Sequence, residues 1–266
     1  GSAEFSALQK QAAAIKPTEY AAREAEQNAA RLASLRTVGK DKAAIQSAER
    51  VRSAAASPLY EAARAGTTPV DVAPISAKIN TILEKNPGNR ELVSELTNIQ
   101  KGLSEAGTDA QKVASVIDGL KATLANKDNA FIKGTLSGIK NDLSKAIPGY
   151  ERAQQVFAKG SEPINQMQVG QYLEKKLVPA LSEDAKQKAA TYATALQDAP
   201  GTIKRATGAP RFEELTQALT PKQMEVVNGI KEDLARGAKF QGLASKGMEA
   251  APELKSAMGD HRIKNM

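Results

Sequence analysis

The sequence has no cysteine and no tryptophan, and it is poor in histidine and in aromatic residues. Of its 266 residues, one is His and 4% are aromatic. Without cysteine the chain forms no disulfide, uses no thiol nucleophile and offers no thiolate to zinc. The single histidine, His261, stands five residues from the C-terminal end. Histidine-dependent acid–base catalysis and multi-histidine metal sites are therefore nearly excluded.

The shortage of aromatic residues also bears on the fold. Aromatic side chains usually supply the bulk of a thick globular core, so a chain with five Phe and five Tyr is suited to thin helical cores. Alanine is abundant, and it is the strongest helix former. These features predict an all-α, elongated multi-helix bundle with helical hairpins and an Ala-rich, coiled-coil-like N-terminal part. No segment alternates with period two, and no apolar run reaches 18 residues, so we expect neither a sheet nor a membrane span.

The N-terminal part divides into two segments. Residues 1–5, GSAEF, resemble a tag or cloning scar, so we exclude them from the fold prediction and expect a fragment of a longer chain. Residues 6–65 predict long Ala-rich helices, interrupted near residues 38–39 and 57–58 by glycine and proline. Their few large apolar residues form a sparse stripe that needs a partner helix. The stripe consists of Leu32, Leu35, Ile45 and Val51.

Residues 66–147 predict a four-helix antiparallel bundle. Four segments of similar length carry aliphatic residues at helical spacing and are joined by short turns. Thr108 and Gln111 match a capping box at the start of the third segment. The stripes contain no inward-facing Glu or His, so we interpret them as core. Their residues are Ile75, Ile79, Ile82, Leu83, Leu92, Leu96, Ile99, Leu103, Val113, Ile117, Leu120, Leu124, Ile132, Leu136, Ile139 and Leu143.

The C-terminal part continues the helical pattern. Residues 148–240 predict further helical hairpins, with a break at residues 160–163, where Gly and Pro interrupt the pattern. Residues 220–223 form the start signal of a last helix, which we expect to end at Gly237. Residues 241–266 predict a C-terminal tail that is partly flexible.

The strongest candidate for a site is a basic stretch, IKRATGAPR. It sets Lys204, Arg205 and Arg211 around a Gly-Ala-Pro turn, in a chain whose net charge of +7 is concentrated toward its two ends. We predict a loop whose cations contact phosphate or DNA without base specificity. The alternative is structural, because cations at the end of a helix satisfy its last carbonyls. The order of residues does not match a Walker loop.

No other arrangement of residues indicates catalysis. Adjacent carboxylates such as Glu213 and Glu214 diverge on a helix, unlike a catalytic pair. We therefore predict a protein that is not an enzyme and has no catalytic residue, no cofactor, no metal site and no small-molecule substrate.

Three stretches carry a resemblance to a known class of proteins. Residues 57–96, 159–177 and 201–224 resemble helical regions of large phage and prophage virion proteins of the internal, ejection or tape-measure-like type. The resemblance implies a structural or interaction module that takes part in virion assembly or genome delivery. Its partners would be other proteins or further copies of itself, bound through helical faces, and nucleic acid at the basic ends. Its location would be the virion, or the host cytoplasm during assembly. Two alternatives remain, a sequence-independent DNA-binding helical module and a non-catalytic accessory region of a peptidoglycan hydrolase.

Overall fold

A computed structural model describes the backbone of residues 17–180, 185–208 and 212–250 and shows an all-α protein there. The all-α multi-helix prediction is confirmed, and the described residues contain no strand. In chain order the helices are α1 (Pro17–Gly39), α2 (Lys42–Arg64), α3 (Ala73–Lys85), α4 (Arg90–Ala106), α5 (Ala110–Ala125), α6 (Ala130–Ala146), α7 (Tyr150–Ala180), α8 (Ala185–Gln197), α9 (Ala199–Thr207), α10 (Leu215–Ala218) and α11 (Pro221–Ala250).

The described residues fall into two compact units. The central unit is Ala48–Ser161, and the discontinuous unit consists of the described residues up to Ser47 and from Glu162 onward. Each unit has its own cluster of buried apolar residues. The segments predicted from the sequence are continuous stretches of the chain, whereas the two units are defined by contacts between residues. The limits of the segments and of the units are therefore not equivalent. Both limits of the central unit lie inside helices, α2 and α7.

The predicted aliphatic stripes form most of the core of the central unit. Thirteen of the sixteen striped residues are buried, and the other three, Ile82, Leu83 and Leu124, pack against them. The capping box at Thr108 and Gln111 is wrong, because Asp109 is the N-cap of α5 and accepts from the Lys112 N–H at 2.9 Å. The Thr108 carbonyl instead accepts from the Val70 N–H at 2.9 Å, which fixes the linker against the bundle.

Lys121 of α5 lies between two tyrosine rings of the central unit. Its Nζ is 5.7 Å from the centre of the Tyr60 ring and 5.5 Å from that of Tyr150. The ammonium also donates to the Tyr150 hydroxyl at 3.2 Å and to Asp118 at 3.0 Å. Burial alone would lower the pKa of Lys121, but these two hydrogen bonds raise it above its ordinary value. Lys121 therefore stays charged and joins the two rings through cation–π contacts.

Three predicted helix ends are wrong, because the helices continue through them. Pro58 lies inside α2, residues 160–163 lie inside α7, and Gly237 lies inside α11. A proline in a helix interior costs about 3 kcal/mol. Burying one large apolar side chain contributes about 1.5–3 kcal/mol, and α7 buries several beyond Pro163. These are Ile164, Met167, Val169, Leu173 and Leu177.

The core of the discontinuous unit includes a close crossing of α1 and α7 at two glycines. A Cβ added at Gly170 would lie 2.6 Å from Gly39 Cα, and one added at Gly39 would lie 2.8 Å from the Gln171 backbone nitrogen. The Gln171 side chain donates to the Gly39 and Lys40 carbonyls at 3.2 Å and 3.3 Å. The backbones therefore touch where α1 ends, and Leu35, Val38, Val169 and Leu173 are buried around the crossing.

The same core contains an unpaired hydroxyl on Tyr192 of α8. The side chain is fully buried, and its oxygen has no hydrogen-bond partner among the described residues. Burial raises the pKa of Tyr192 well above its ordinary value, because the phenolate would lose its hydration.

We expect Tyr192→Phe to raise the free energy of unfolding by about 1 kcal/mol near neutral pH, because it removes a buried polar group without breaking a bond. Above about pH 10 a tyrosine ionises in the unfolded chain, while Tyr192 stays protonated in the folded one. The parent therefore loses stability as the pH rises toward the folded pKa, and the advantage of the variant grows. Urea titrations at neutral pH and above about pH 10 measure both effects.

Tyr150→Phe is the matched control, since Tyr150 is equally buried but its hydroxyl bonds Lys121. We expect this substitution to destabilise the chain. A Tyr192→Phe variant that is less stable than the parent would show that the hydroxyl has a partner.

Candidate functional site

Two of the three residues predicted as a phosphate site, Lys204 and Arg205, lie in a helix and not in a loop. Lys204 and Arg205 lie in the last turn of α9, and Gly208 ends this helix in the left-handed conformation with φ of 70°. The structural alternative fits this position, because cations complement the negative end of a helix. Arg211 lies outside the described residues. The structure therefore brings Lys204 and Arg205 together on one helix end and corrects the loop prediction there.

Arg205 connects α9 to α7. Its Nη1 lies 3.1 Å from Asp198 Oδ2 and 3.5 Å from the Tyr172 hydroxyl. Asp198 is also the N-cap of α9, accepting from the Gly201 N–H at 3.2 Å. The hydrogen bond with Tyr172 and the charge of Asp198 raise the pKa of Arg205. Lys204 is exposed, and it makes no ion pair with another described residue.

A second basic site lies on the adjacent side of this stretch of α7, around the turn between α1 and α2. It is an open cleft of about 900 Å³. Four cationic side chains and two carboxylates contribute to its walls. The lining residues are Arg36, Lys40, Asp41, Lys42, Ala44, Gln171, Glu174 and Lys175. Every one of them belongs to the discontinuous unit.

Local structure decides which charges in the cleft are already paired. Arg36 Nε contacts Glu174 Oε1 at 2.8 Å, which neutralises one cation. Asp41 caps α2 by accepting from the Ala44 N–H at 2.7 Å. Lys40, Lys42 and Lys175 are exposed and form no ion pair with another described residue. Considering the described residues alone, the cleft therefore presents three ammonium groups without an ion pair, two at the α1–α2 turn and one on α7.

Lys40 owes its position to a strained turn. Its φ is 48°, the only positive value among the described non-glycine residues. Such a conformation is uncommon for a residue with a side chain, and it persists where surrounding contacts fix it. Here the Lys40 carbonyl is held by Gln171, and its N–H donates to the Arg36 carbonyl at 2.9 Å.

The cationic surface continues along α7 from the cleft to the side of the helix that contacts α9. With about 100° per residue, Tyr172, Lys175 and Lys176 fall within roughly 100° of one helix face. The Lys176 ammonium lies 5.4 Å from the centre of the Tyr172 ring. Lys175 thus faces the cleft, Tyr172 contacts Arg205, and Lys176 lies beside that ring.

The cleft was not predicted from the sequence, because its two walls, the α1–α2 turn and α7, are about 130 residues apart in the chain. Two local signals were present, the charged run GKDK at residues 39–42 and the pair Lys175-Lys176. Neither shows that α1 and α7 cross, which depends on two glycines with no pattern linking them. The basic residues could be noticed, but their convergence could not be predicted.

The remaining tests of function concern metals, membranes and known proteins. Within the part of the chain that the structure describes, no group of three or more metal-ligating side chains comes together. Among these same helices, none combines the length and apolar character needed to cross a bilayer. Comparison with protein-family models, curated proteins and solved structures gave no match.

Proposed function

We propose that the chain is a non-enzymatic helical assembly module, in which the exposed face of α2 packs antiparallel against the same face of a second copy. The proposal rests on one observation, an apolar helix face in contact with solvent and with complementary charges along one edge. The sequence resemblance supplies the setting that we propose, a phage virion protein acting in assembly or genome delivery.

The face of α2 that points away from the core is small and apolar. Within the central unit, five exposed uncharged residues recur on one side of the helix at spacings of three and four. They are Val51, Ala54, Ala55, Pro58 and Ala62. The opposite side holds the buried residues Ala56 and Ala63. Small side chains permit a second helix to approach to about 8 Å, where backbone and side-chain contacts are extensive.

Exposed bulky residues concentrate beside this face. Among the described residues the exposed large hydrophobics are Val51 at 67%, Phe131 at 56% and Phe157 at 40%. Val51 belongs to the face, and Phe157 lies beside α2 because the Arg52 guanidinium is 4.4 Å above its ring centre. An aliphatic residue, an aromatic ring and an arginine on one surface form a combination common at the centres of protein interfaces.

The charges at the edge of the face favour a second copy in the antiparallel direction. Arg50 and Glu61 are exposed on the same edge, eleven residues apart, and neither has an ion-pair partner among the described residues. In an antiparallel pair related by a two-fold axis near Ala55, Arg50 of one chain faces Glu61 of the other. The same pairing occurs twice, as expected for a symmetric dimer. A parallel arrangement would place equal charges side by side.

We expect Val51→Glu to weaken self-association at least tenfold, because a carboxylate would be carried into an apolar contact. Phe131→Glu is the control, since it replaces a similarly exposed hydrophobic residue of the same unit outside this face. Sedimentation equilibrium of the parent and of both variants measures the change. A parent that is monomeric at high concentration, or an equal loss in both variants, would overturn the proposal.

Exchanging the edge charges tests the orientation. Arg50→Glu and Glu61→Arg should each weaken the dimer, because each places like charges opposite one another. The double variant Arg50→Glu/Glu61→Arg restores the complementary pairs and should recover most of the affinity. Failure of the double variant to recover would exclude the antiparallel arrangement even if α2 forms the interface.

A further inference from the structure

We infer that the cleft between the α1–α2 turn and α7 binds the backbone of single-stranded nucleic acid. The cleft lies in the discontinuous unit and shares no residue with the α2 face of the central unit. The inference therefore does not depend on the proposed assembly role, and the two can be tested separately. It also differs from the basic stretch around residue 204, on which the sequence-based prediction of DNA contact rested.

Charge is the first argument for this ligand. Both carboxylates among the described residues that line the cleft are engaged, Glu174 with Arg36 and Asp41 with the Ala44 N–H, and Asp198 on α9 is paired with Arg205. Lys40, Lys42 and Lys175, whose ammonium groups have no ion-pair partner among the described residues, line one concave surface. Repulsion between them is relieved by a ligand with several negative charges at short intervals. Phosphodiester groups provide this spacing, and their binding releases condensed counterions.

Shape and an aromatic neighbour favour a single strand over a duplex. A positive groove that follows one flexible backbone is the usual form of a single-strand site, whereas sequence readout of a duplex places a helix or a strand in its major groove. Tyr172 is half-buried next to Lys175 on α7, and cations lie on two of its sides, Lys176 near the ring and Arg205 at the hydroxyl. Platforms for single strands combine a positive groove with an aromatic ring on which a base stacks.

The glycine crossing keeps the basic groups in place. Contact between the backbones at Gly39 and Gly170 sets the distance between the α1–α2 turn and α7, and Gln171 fixes the turn by bonding two of its carbonyls. The cationic side chains are therefore carried on a rigid base. Such preorganisation lowers the entropy cost of binding.

The experiment is a fluorescence anisotropy titration of the full chain with a labelled single-stranded oligothymidylate at several salt concentrations. We expect binding that weakens steeply with salt, and we expect Lys40→Glu/Lys175→Glu to reduce affinity at least tenfold at low salt. Loss of two phosphate contacts should also reduce the slope of log affinity against log salt by roughly 1.4. Tyr172→Leu should weaken single-strand binding several-fold while leaving the salt slope unchanged.

Controls separate this site from general attraction to a basic protein. Lys112→Glu/Lys133→Glu changes the net charge equally but lies in the central unit, and it should leave affinity within about twofold. Absence of binding, or equal losses in both double variants, would overturn the inference. So would tighter binding of a duplex of the same length that Tyr172→Leu does not affect. If inorganic phosphate competed as effectively as unlabelled oligonucleotide at the same concentration of phosphate groups, the cleft would be a general anion site, and the inference would be wrong.

Discussion

Gly170→Ala is expected to lower the free energy of unfolding by about 3 kcal/mol, although it adds only one methyl group. The new Cβ would lie 2.6 Å from Gly39 Cα and 2.9 Å from the Val38 carbonyl carbon. These are backbone atoms, so no side-chain rotation removes the clash. Either α1 or α7 must move, and the buried residues around the crossing would then lose contact.

Helix propensity alone would make Gly170→Ala stabilising, which is the opposite of the expected effect. Alanine in a helix interior is favoured over glycine by about 0.5–1 kcal/mol, so a glycine in α7 would be improved by substitution if nothing lay beside it. The overpacking penalty, typically about 1–3 kcal/mol and larger against backbone, exceeds that gain. Steric exclusion therefore decides the outcome at Gly170.

Gly229→Ala is the matched control. Gly229 lies inside α11 in the same unit, and a Cβ added there meets no atom within 4 Å. We expect this substitution to stabilise the chain by up to about 1 kcal/mol. Thermal and urea unfolding of both variants provides the comparison. A stabilising Gly170→Ala would show that the two helices do not cross at these glycines.

In the central unit, the buried stripes of α3 to α6 could be predicted from the sequence, whereas the N-cap of α5 and the continuation of α2 through Pro58 could not. The stripes repeat every three or four residues between clear turn signals, and most of the contacts that bury them come from helices next to them in the chain. The helices of this bundle pack chiefly against those next to them in the chain, α3 against α4, α4 against α5 and α5 against α6, and less extensively α3 against α6. Where a pattern and the fold both depend on short-range neighbours, periodicity is sufficient.

The errors arose where a distant contact outweighs a local signal. Gly160 was predicted to interrupt α7. Its lack of a Cβ instead admits Arg52, because a Cβ at this position would lie 2.9 Å from Arg52 Cγ. Gly237 was predicted as a helix end, yet α11 passes through it and the Arg31 guanidinium lies 4.0 Å from the position of its missing Cβ. Gly160 thus makes room for an arginine from another helix, whereas the 4.0 Å distance at Gly237 is an ordinary van der Waals contact and α11 simply continues through that residue. Sequence alone does not distinguish a glycine that ends a helix from one that admits a neighbour.

The candidate site was predictable only in its composition. A basic surplus was visible, and so was the cationic stretch around Arg205, but Lys204 and Arg205 were assigned to a loop, whereas they lie in the last turn of α9. The lysines of the cleft come from α7 and the α1–α2 turn. Their convergence depends on one backbone crossing, which leaves no periodic trace in the sequence.

The second large effect is expected at an ion pair between α1 and α11. The Arg31 guanidinium contacts Asp233 Oδ2 through both Nε and Nη2 at 2.6 Å, and its Nη1 donates to Asn28 Oδ1 at 2.7 Å. Arg31 is 8% exposed and Asp233 is 37% exposed. The cation is thus removed from water, while its partner remains partly hydrated.

We expect Asp233→Ala to lower the free energy of unfolding by about 2–3 kcal/mol, because it leaves a buried guanidinium without its counter-charge. The partial exposure of Asp233 places this value below the usual range for fully buried pairs. Asp142→Ala is the control: Asp142 is 36% exposed and pairs with Lys78 at 2.6 Å, but that lysine is 50% exposed. The control should cost less than about 1 kcal/mol.

A double variant separates loss of attraction from the cost of an unpaired charge. Arg31→Met removes the buried cation and keeps most of the apolar volume of the side chain, so Arg31→Met/Asp233→Ala should be more stable than Asp233→Ala alone. The double variant regains stability only if the loss in Asp233→Ala comes from leaving the buried Arg31 charge without its counter-charge. If the double variant were the less stable of the two, the arginine would be contributing chiefly through packing and its bond to Asn28, and burial of its charge would not explain the loss.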